Sequence, residues 1–169
     1  MIFSQEHKIV NCLVPVDGNN TALTTDIISM SKYRHATFIW CFGIANTSAA
    51  STTNLIVNKG EDLVTCTTGM AVQGYRAELT ANGDTLEALT AMPAAGISIG
   101  ASGDEDFNTG LNFIVVEVDA ENLAPTQANP YSTVNMSVTM ADATSCLMSC
   151  VCILSEPRYT SASAPTAIA

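Results

Sequence analysis

Charged residues are scarce in this chain. Of its 169 residues, 13% are charged and 47% are hydrophobic, whereas in ordinary soluble domains about a quarter of all residues are charged. Basic residues are the scarcer sign, with 6 Lys and Arg against 16 Asp and Glu and a net charge of −10. Such an acidic protein repels nucleic acid and anionic membranes, so we expect neither as a partner. A surface so poor in charge is expected to be partly covered by another protein.

Targeting features are also scarce. Met1, Ile2 and Phe3 are followed at once by the polar stretch SQEHK, which does not fit the apolar core of a secretory signal. No apolar stretch approaches the roughly 18 residues that a membrane helix needs. We therefore expect synthesis in a cytoplasm, where thiols stay reduced.

Catalytic motifs are lacking as well. The chain has two histidines, His7 and His35, and no serine stands in a G-x-S-x-G motif. Glu117 and Asp119 would share one face of a strand, and paired carboxylates serve glycosidases. Acidic alternation on an exposed strand is the commoner situation, however. We expect no enzymatic activity, no cofactor and no metal.

What the chain does have is alternation of apolar and polar side chains, the period of a β-strand. It is clearest at 35–44, 112–120 and 134–140, and turn signals such as VDGNN and ANGD separate the segments. Further strands are predicted at 8–16, 26–29, 55–58, 62–67, 70–79, 86–89 and 96–99. The best helix candidate is one turn at 120–123, and 85–92 fits either a helix or a strand. Short strands with regular turns predict an all-β sandwich or barrel.

Three of the six cysteines lie close together, in the segment SCLMSCVCILSEPRY at 145–159. The spacing of Cys146 and Cys150 would suit one half of a zinc site. The segment also alternates, however, and neighbours on one strand face lie about 7 Å apart. That distance is too long for one tetrahedral metal and strains a Cys150–Cys152 disulfide. We interpret the segment as a buried strand, with a metal site or a disulfide as alternatives.

An acidic loop at 101–110 resembles part of a calcium loop. Asp104, Asp106 and Asn108 stand at the first, third and fifth positions of an EF-hand pattern. Thr109 replaces the glycine of that pattern, and Val115 replaces its final glutamate. We interpret this loop as a solvated acidic turn, with a calcium site as the alternative.

The end of the chain changes character. Residues 157–169, PRYTSASAPTAIA, are small, mostly polar and interrupted by proline. They cannot bury enough apolar area by themselves to offset the entropy lost on ordering. We predict one β-sandwich domain at 1–156 and a flexible C-terminal arm at 157–169.

Three segments stand out together: MSKYRHATFIW at 30–40, IVVEVDAENL at 114–123 and LSEPRYTSASAPTAIA at 154–169. They resemble segments of small virion proteins of tailed bacteriophages, the head decoration or cement proteins. The resemblance implies a jelly-roll-like antiparallel β-sandwich, a homotrimer, and a location on the outer capsid surface with the major capsid protein as partner. A neck or tail accessory protein of the virion is the first alternative. A carbohydrate-binding β-sandwich module of the virion is the second.

Under this resemblance, both ends of the chain are expected to act as arms that order on binding the capsid. Tyr159 and Ile168 would be the apolar anchors of the C-terminal arm. The expected contact residues are Met1, Ile2, Phe3, Arg158, Tyr159, Pro165 and Ile168.

Overall fold

A computed structural model describes residues 3, 7–18, 21–42, 53–77, 85–99, 113–140 and 147–158. Most of these residues lie in strands, as the alternation predicts. The strands are β1 (Lys8–Asp17), β2 (Ala22–Thr24), β3 (Ile28–Ser29), β4 (Tyr33–Phe42), β5 (Thr53–Gly60), β6 (Cys66–Gly69), β7 (Val72–Ala77), β8 (Thr90–Met92), β9 (Ile97–Ile99), β10 (Phe113–Asp119), β11 (Thr133–Met140) and β12 (Leu147–Pro157). No helix among the described residues has the length and apolar character needed to cross a membrane.

The strands form two sheets that pack as a sandwich. The first sheet has six strands in the order β1-β12-β4-β10-β7-β8, and the second sheet also has six strands, four of which follow the order β2-β11-β5-β6. In the second sheet, β3 also pairs with β11 and β9 with β5. The antiparallel pairs β1·β12, β2·β11, β4·β10 and β5·β6 are nested along the chain. Nested pairing of this kind is jelly-roll connectivity, so the expected fold class is confirmed.

The core lies between the sheets and follows from the alternation. Phe38 and Trp40 of β4 face inward and are fully buried, as are Met136 and Val138 of β11. The indole Nε1 of Trp40 donates a hydrogen bond of 3.1 Å to Met136 Sδ. This contact joins the first sheet to the second at the centre of the core.

The segment between β2 and β3 hydrogen-bonds to both sheets, to β11 of the second sheet and to β1 of the first. The backbone N–H of Thr25 donates to Met136 O (2.9 Å), and Met136 N–H donates to Thr25 Oγ1 (3.0 Å). The next residue, Asp26, donates its N–H to Cys12 O of β1 at 2.8 Å. These bonds satisfy backbone groups that a break in strand pairing would leave without partners.

Two strand predictions are wrong, each for a local reason. The prediction at 62–67 fails because Asp62 Oδ1 accepts the N–H groups of Val64 (2.8 Å) and Thr65 (2.7 Å), which forms a bend. A strand begins only at Cys66. In the predicted strand 86–89, Leu86 forms one isolated bridge, and the strand itself comes later, as β8. The segment 85–92, which fits a helix or a strand by sequence, therefore contains a strand at its end and no helix.

Other boundaries move by a few residues. The strand predicted at 26–29 shortens to β3, and β2 was not predicted. The predicted helical turn is confirmed as a 3-10 helix, Ala120–Leu123. Asn122 Oδ1 accepts the N–H of Asp119 (2.9 Å), which caps its start.

The cysteine segment is a strand, as interpreted. Met148, Cys150, Cys152 and Leu154 of β12 all point into the core and are buried. The described cysteines, at positions 12, 41, 66, 150 and 152, are free thiols. Within the described residues, no group of three His, Cys, Asp or Glu side chains is placed to hold a metal ion. Cys146 lies outside the described residues, as do Asp104, Asp106 and Asn108 of the acidic loop.

β12 marks where the predicted arm begins. Pro157 is its last residue and lies opposite Tyr33, and a proline cannot donate to a sheet ladder. Arg158 then donates its backbone N–H to Lys32 O at 2.9 Å. Residues 159–169 lie outside the described part of the chain, so the arm and the division into 1–156 and 157–169 remain predictions.

Burial predicts how the thiols react. Burial raises the pKa of the Cys150 and Cys152 thiols above its ordinary value, so both stay protonated and shielded. In a Cys146→Ser background, we expect the aromatic disulfide reagent DTNB to modify exposed Cys41 quickly. Cys150 and Cys152 should react only after unfolding.

Adding Cys41→Ser should remove this fast reaction, as followed by absorbance of the released thiolate. Fast modification that persists in the double variant would contradict the burial of the remaining cysteines. Stoichiometric bound zinc in the unmodified protein would revive the metal interpretation.

Candidate functional site

An apolar patch covers part of the outer face of the first sheet, the one that contains β1, β12, β4 and β10. It consists of side chains that alternate with core residues on four neighbouring strands. Its members are Ile9, Ile39, Phe113, Val115, Val151 and Ile153. The pairing register places Ile9 opposite Ile153 and places Ile39 between Val151 and Val115. The six side chains are therefore continuous across β1, β12, β4 and β10, and we call them the outer apolar patch.

The patch is open to solvent. Ile9 is 51% exposed, and the other five side chains are partly exposed. Single exposed apolar residues are ordinary, but continuous apolar surface marks interaction sites. The alternation of apolar and polar residues predicts these strands and predicts that this side of the sheet is the more polar one. It does not predict the patch, because the patch depends on the pairing register, which brings together residues from distant parts of the chain.

A charged network borders the patch on the same face. His35 Nε2 lies 2.6 Å from Glu117 Oε2, and His35 Nδ1 lies 2.7 Å from Asp119 Oδ1. Thr37 Oγ1 also donates to Glu117 Oε2, at 2.8 Å. Because each ring nitrogen faces a carboxylate oxygen, both nitrogens donate and the ring is an imidazolium. We call these four residues the His35 network.

The register of β4 and β10 creates this network. Asp119 lies opposite His35, and Glu117 lies opposite Thr37. The hydrogen bond to Glu117, followed by the bond to Asp119, raises the pKa of His35 from 6.5 to about 9, although burial opposes this. The hydrogen bond from His35 lowers the pKa of Glu117, and Thr37 and the charge of Arg76 act in the same direction.

The charged and polar groups of the His35 network hydrogen-bond to one another. Glu117 and Asp119 do share a face, as expected, and both bind the same imidazolium. An acid and a base of a glycosidase would instead face a substrate from opposite sides. The chemistry available here is charge-assisted hydrogen bonding. An apolar centre with such a border has the composition of a protein–protein interface.

Two of the expected contact residues lie in the described part of the chain. Phe3 stacks on the ring of His7, with centroids 4.3 Å apart and planes 9° apart, and Arg158 is exposed. Lys8, the first residue of β1, pairs with Leu154 near the end of β12. The start of β1 and the end of β12 therefore lie at the same corner of the first sheet. Met1, Ile2, Tyr159, Pro165 and Ile168 lie outside the described residues.

The His35 network predicts a pH dependence of stability. The pKa of His35 is raised in the folded state, so its stabilisation is complete below pH 6.5 and is lost as the pH rises through about 9. The pKa of Glu117 is lowered, so its share is lost as the pH falls below the ordinary range of a glutamate. Solvent screening limits the effect to about 1 kcal/mol or less.

Urea unfolding at several pH values measures this dependence. We expect His35→Gln to be less stable than the natural chain at pH 6 and equal to it near pH 10. His7→Gln is the matched control, because His7 contacts Phe3 rather than a carboxylate. An unchanged pH profile in His35→Gln would contradict the assignment.

Comparison with known protein families and with curated proteins finds no match. Several solved structures are similar in fold. The SPBc2 prophage-derived protein YomS has a TM-score of 0.43 and 8% identity, over 89% of this chain and 94% of that one. The CBM22-1-GH10 modules of Clostridium thermocellum xylanase 10B, solved with xylohexaose, have a TM-score of 0.37 and 9% identity, over 95% of this chain and 28% of that one. The T13 IBDV viral particle gives a TM-score of 0.33 and 7% identity, over 90% and 32%. The structural neighbours thus include a prophage protein and a viral particle, and at these scores none assigns a function.

Proposed function

We propose that this chain is a structural virion protein that binds the outside of a phage capsid and staples neighbouring major capsid subunits. It acts as a homotrimer, and it is not an enzyme. The observation that carries this proposal is the outer apolar patch with its charged border. The resemblance of the segments 30–40, 114–123 and 154–169 to head decoration proteins supplies the identity of the partner.

The patch supports association because exposed apolar surface is costly in water. Burial contributes roughly 25 cal/mol for each Å² of apolar surface removed from water. The patch is built on a sheet, so it offers a broad surface that suits a folded partner rather than a small molecule. The low share of charged residues, 13%, fits a protein that keeps much of its surface against neighbours.

The two arms support stapling. β1 starts beside the place where β12 ends, so arms that extend from these two strands would begin close together. From that corner, each protein would contact one capsid subunit through the outer apolar patch and a neighbouring subunit through an arm. Many such contacts, repeated over the shell, act together through avidity and resist the pressure of packaged DNA.

The two alternatives differ in support. A neck or tail accessory protein would use the same surface, and copy number separates it from a cement protein. Hundreds of copies spread over the head indicate cement, whereas a single ring indicates a neck. A carbohydrate-binding module would need an exposed aromatic platform, but Trp40, the one tryptophan, is fully buried.

A substitution in the patch tests the proposed contact. Ile153→Lys places a charge within the patch, beside Ile9, and we expect it to weaken binding to heads that lack this protein by about tenfold or more. Co-sedimentation of purified protein with such heads measures this. Ala22→Lys, an exposed position on the other sheet, is the matched control. Equal binding by both variants would remove the patch from the interface.

Deletion of 157–169 tests the arm. The deletion leaves the core residues of β12 in place, since the last of them is Leu154. We therefore expect an unchanged circular dichroism spectrum and weaker binding to heads. Replacing 159–169 with a glycine and serine segment of equal length controls for bulk. Normal decoration by the deleted protein would show that the arm is not used.

A further inference from the structure

A cleft of about 640 Å³ lies on the outer face of the second sheet, on the opposite side of the sandwich from the outer apolar patch. The segment 24–27 forms one wall, and the bend that follows β5 forms the other. Asn58 of β5 and Asn135 and Ser137 of β11 form the floor. By sequence these positions belong to an ordinary solvent face. The walls bury Asn58 to 8% and Asn135 to 3% exposure.

The floor offers unused hydrogen-bonding groups. Asn58 Nδ2 donates to Asn135 Oδ1 and to Ser137 Oγ, both at 3.1 Å. These two bonds use the N–H groups of Asn58. Among the described residues, the side-chain bonds of this pair do not use Asn58 Oδ1 or Asn135 Nδ2. No buried side-chain nitrogen or oxygen there lacks a partner, so these two atoms, one acceptor and one amide donor, face the open cleft and are available to a ligand.

This pattern matches a peptide group. A peptide unit presents one N–H and one C=O, which pair with the acceptor of Asn58 and the donor of Asn135. Ile27, Leu63 and Val64 add apolar surface to the walls, and Val64 is 85% exposed. Among the described residues, the lining has no aromatic side chain to stack on a sugar ring. The charged residue among those described in the lining is Asp26, which disfavours anionic ligands.

We propose that the cleft binds an extended, uncharged peptide, and that its occupant is the segment 159–169 of the same chain. The segment YTSASAPTAIA has no Asp, Glu, Lys or Arg, so the acidic body does not repel it. Its serine and threonine hydroxyls suit the polar floor, and Ile168 suits the apolar wall. The inference goes beyond the proposed function, because it concerns the protein before it meets a partner.

The geometry puts the segment within reach. Arg158 is held at Lys32 O by its backbone N–H. Lys32 follows Ile27 by five positions, which is at most about 18 Å of extended chain. The eleven residues 159–169 span up to about 36 Å when extended. At the roughly millimolar effective concentration of a short tether, a weak peptide site is already filled.

Disulfide trapping in the full chain tests the docking. Val64→Cys and Ile168→Cys are combined in a Cys41→Ser, Cys146→Ser background and exposed to a mild oxidant. The matched control replaces Val64→Cys with Leu89→Cys, an exposed position in the other half of the sandwich, 51% exposed. We expect the Val64 pair to form an intrachain disulfide about tenfold faster than the Leu89 pair, in keeping with a raised local concentration.

Equal trapping rates in the two variants would overturn the proposal. Covalent dimers in place of intrachain links would place the segment on a neighbouring copy and would also overturn it. As a second measurement, Ile168→Asp should shift the side-chain amide signal of Asn135 in NMR spectra of the full chain, and no shift would count against the cleft. None of these results depends on capsid binding, so failure of the cleft and failure of the proposed function are distinguishable.

Discussion

The pairing of β12 with both β1 and β4 is the constraint on which the rest of the structure depends. It places Cys150 opposite Trp40 and Cys152 opposite Phe38 on the core side of the sheet. The two aromatic side chains are large and fully buried. On β10 their lateral neighbours are Ile114 and Val116, and on β12 they lie beside small side chains in a close-packed interior. A free thiol is small and apolar, so Cys150 and Cys152 serve the packing of the core.

The other side of the same strand builds the surface. Val151 and Ile153 alternate with the two cysteines and therefore point outward. A slip of one residue in the register would exchange the two sets, which would put the thiols outside and the branched side chains against Trp40. The core thus fixes which residues of β12 reach the outer apolar patch. Since the outward side chains have little part in core packing, the surface can change while the core stays the same.

Local patterns predict the strands well, and they fail where distant residues or single side chains decide. β4, β10, β11 and β12 follow from alternation, because the period of two is local. His35 and Glu117 are 82 positions apart. Their contact depends on the register between β4 and β10, so no local sequence pattern predicts it. The error at 62–67 comes from one carboxylate that accepts two backbone N–H groups. Asn58 and Asn135 have the spacing of a solvent face, and the neighbouring wall segments, not their own strands, bury them.

The two outer faces of the sandwich are suited to partners of different shape. The outer apolar patch extends across four strands without walls, so a partner must bring a broad complementary surface, as a folded subunit does. The cleft has walls and a floor that can satisfy one peptide group, so it admits a single extended segment. The start of β1 and the end of β12 meet at one corner of the first face, and Arg158 is fixed beside the turn that leads back to the wall of the cleft. The pairing that closes the sandwich therefore also places Arg158, the last described residue, between the two faces.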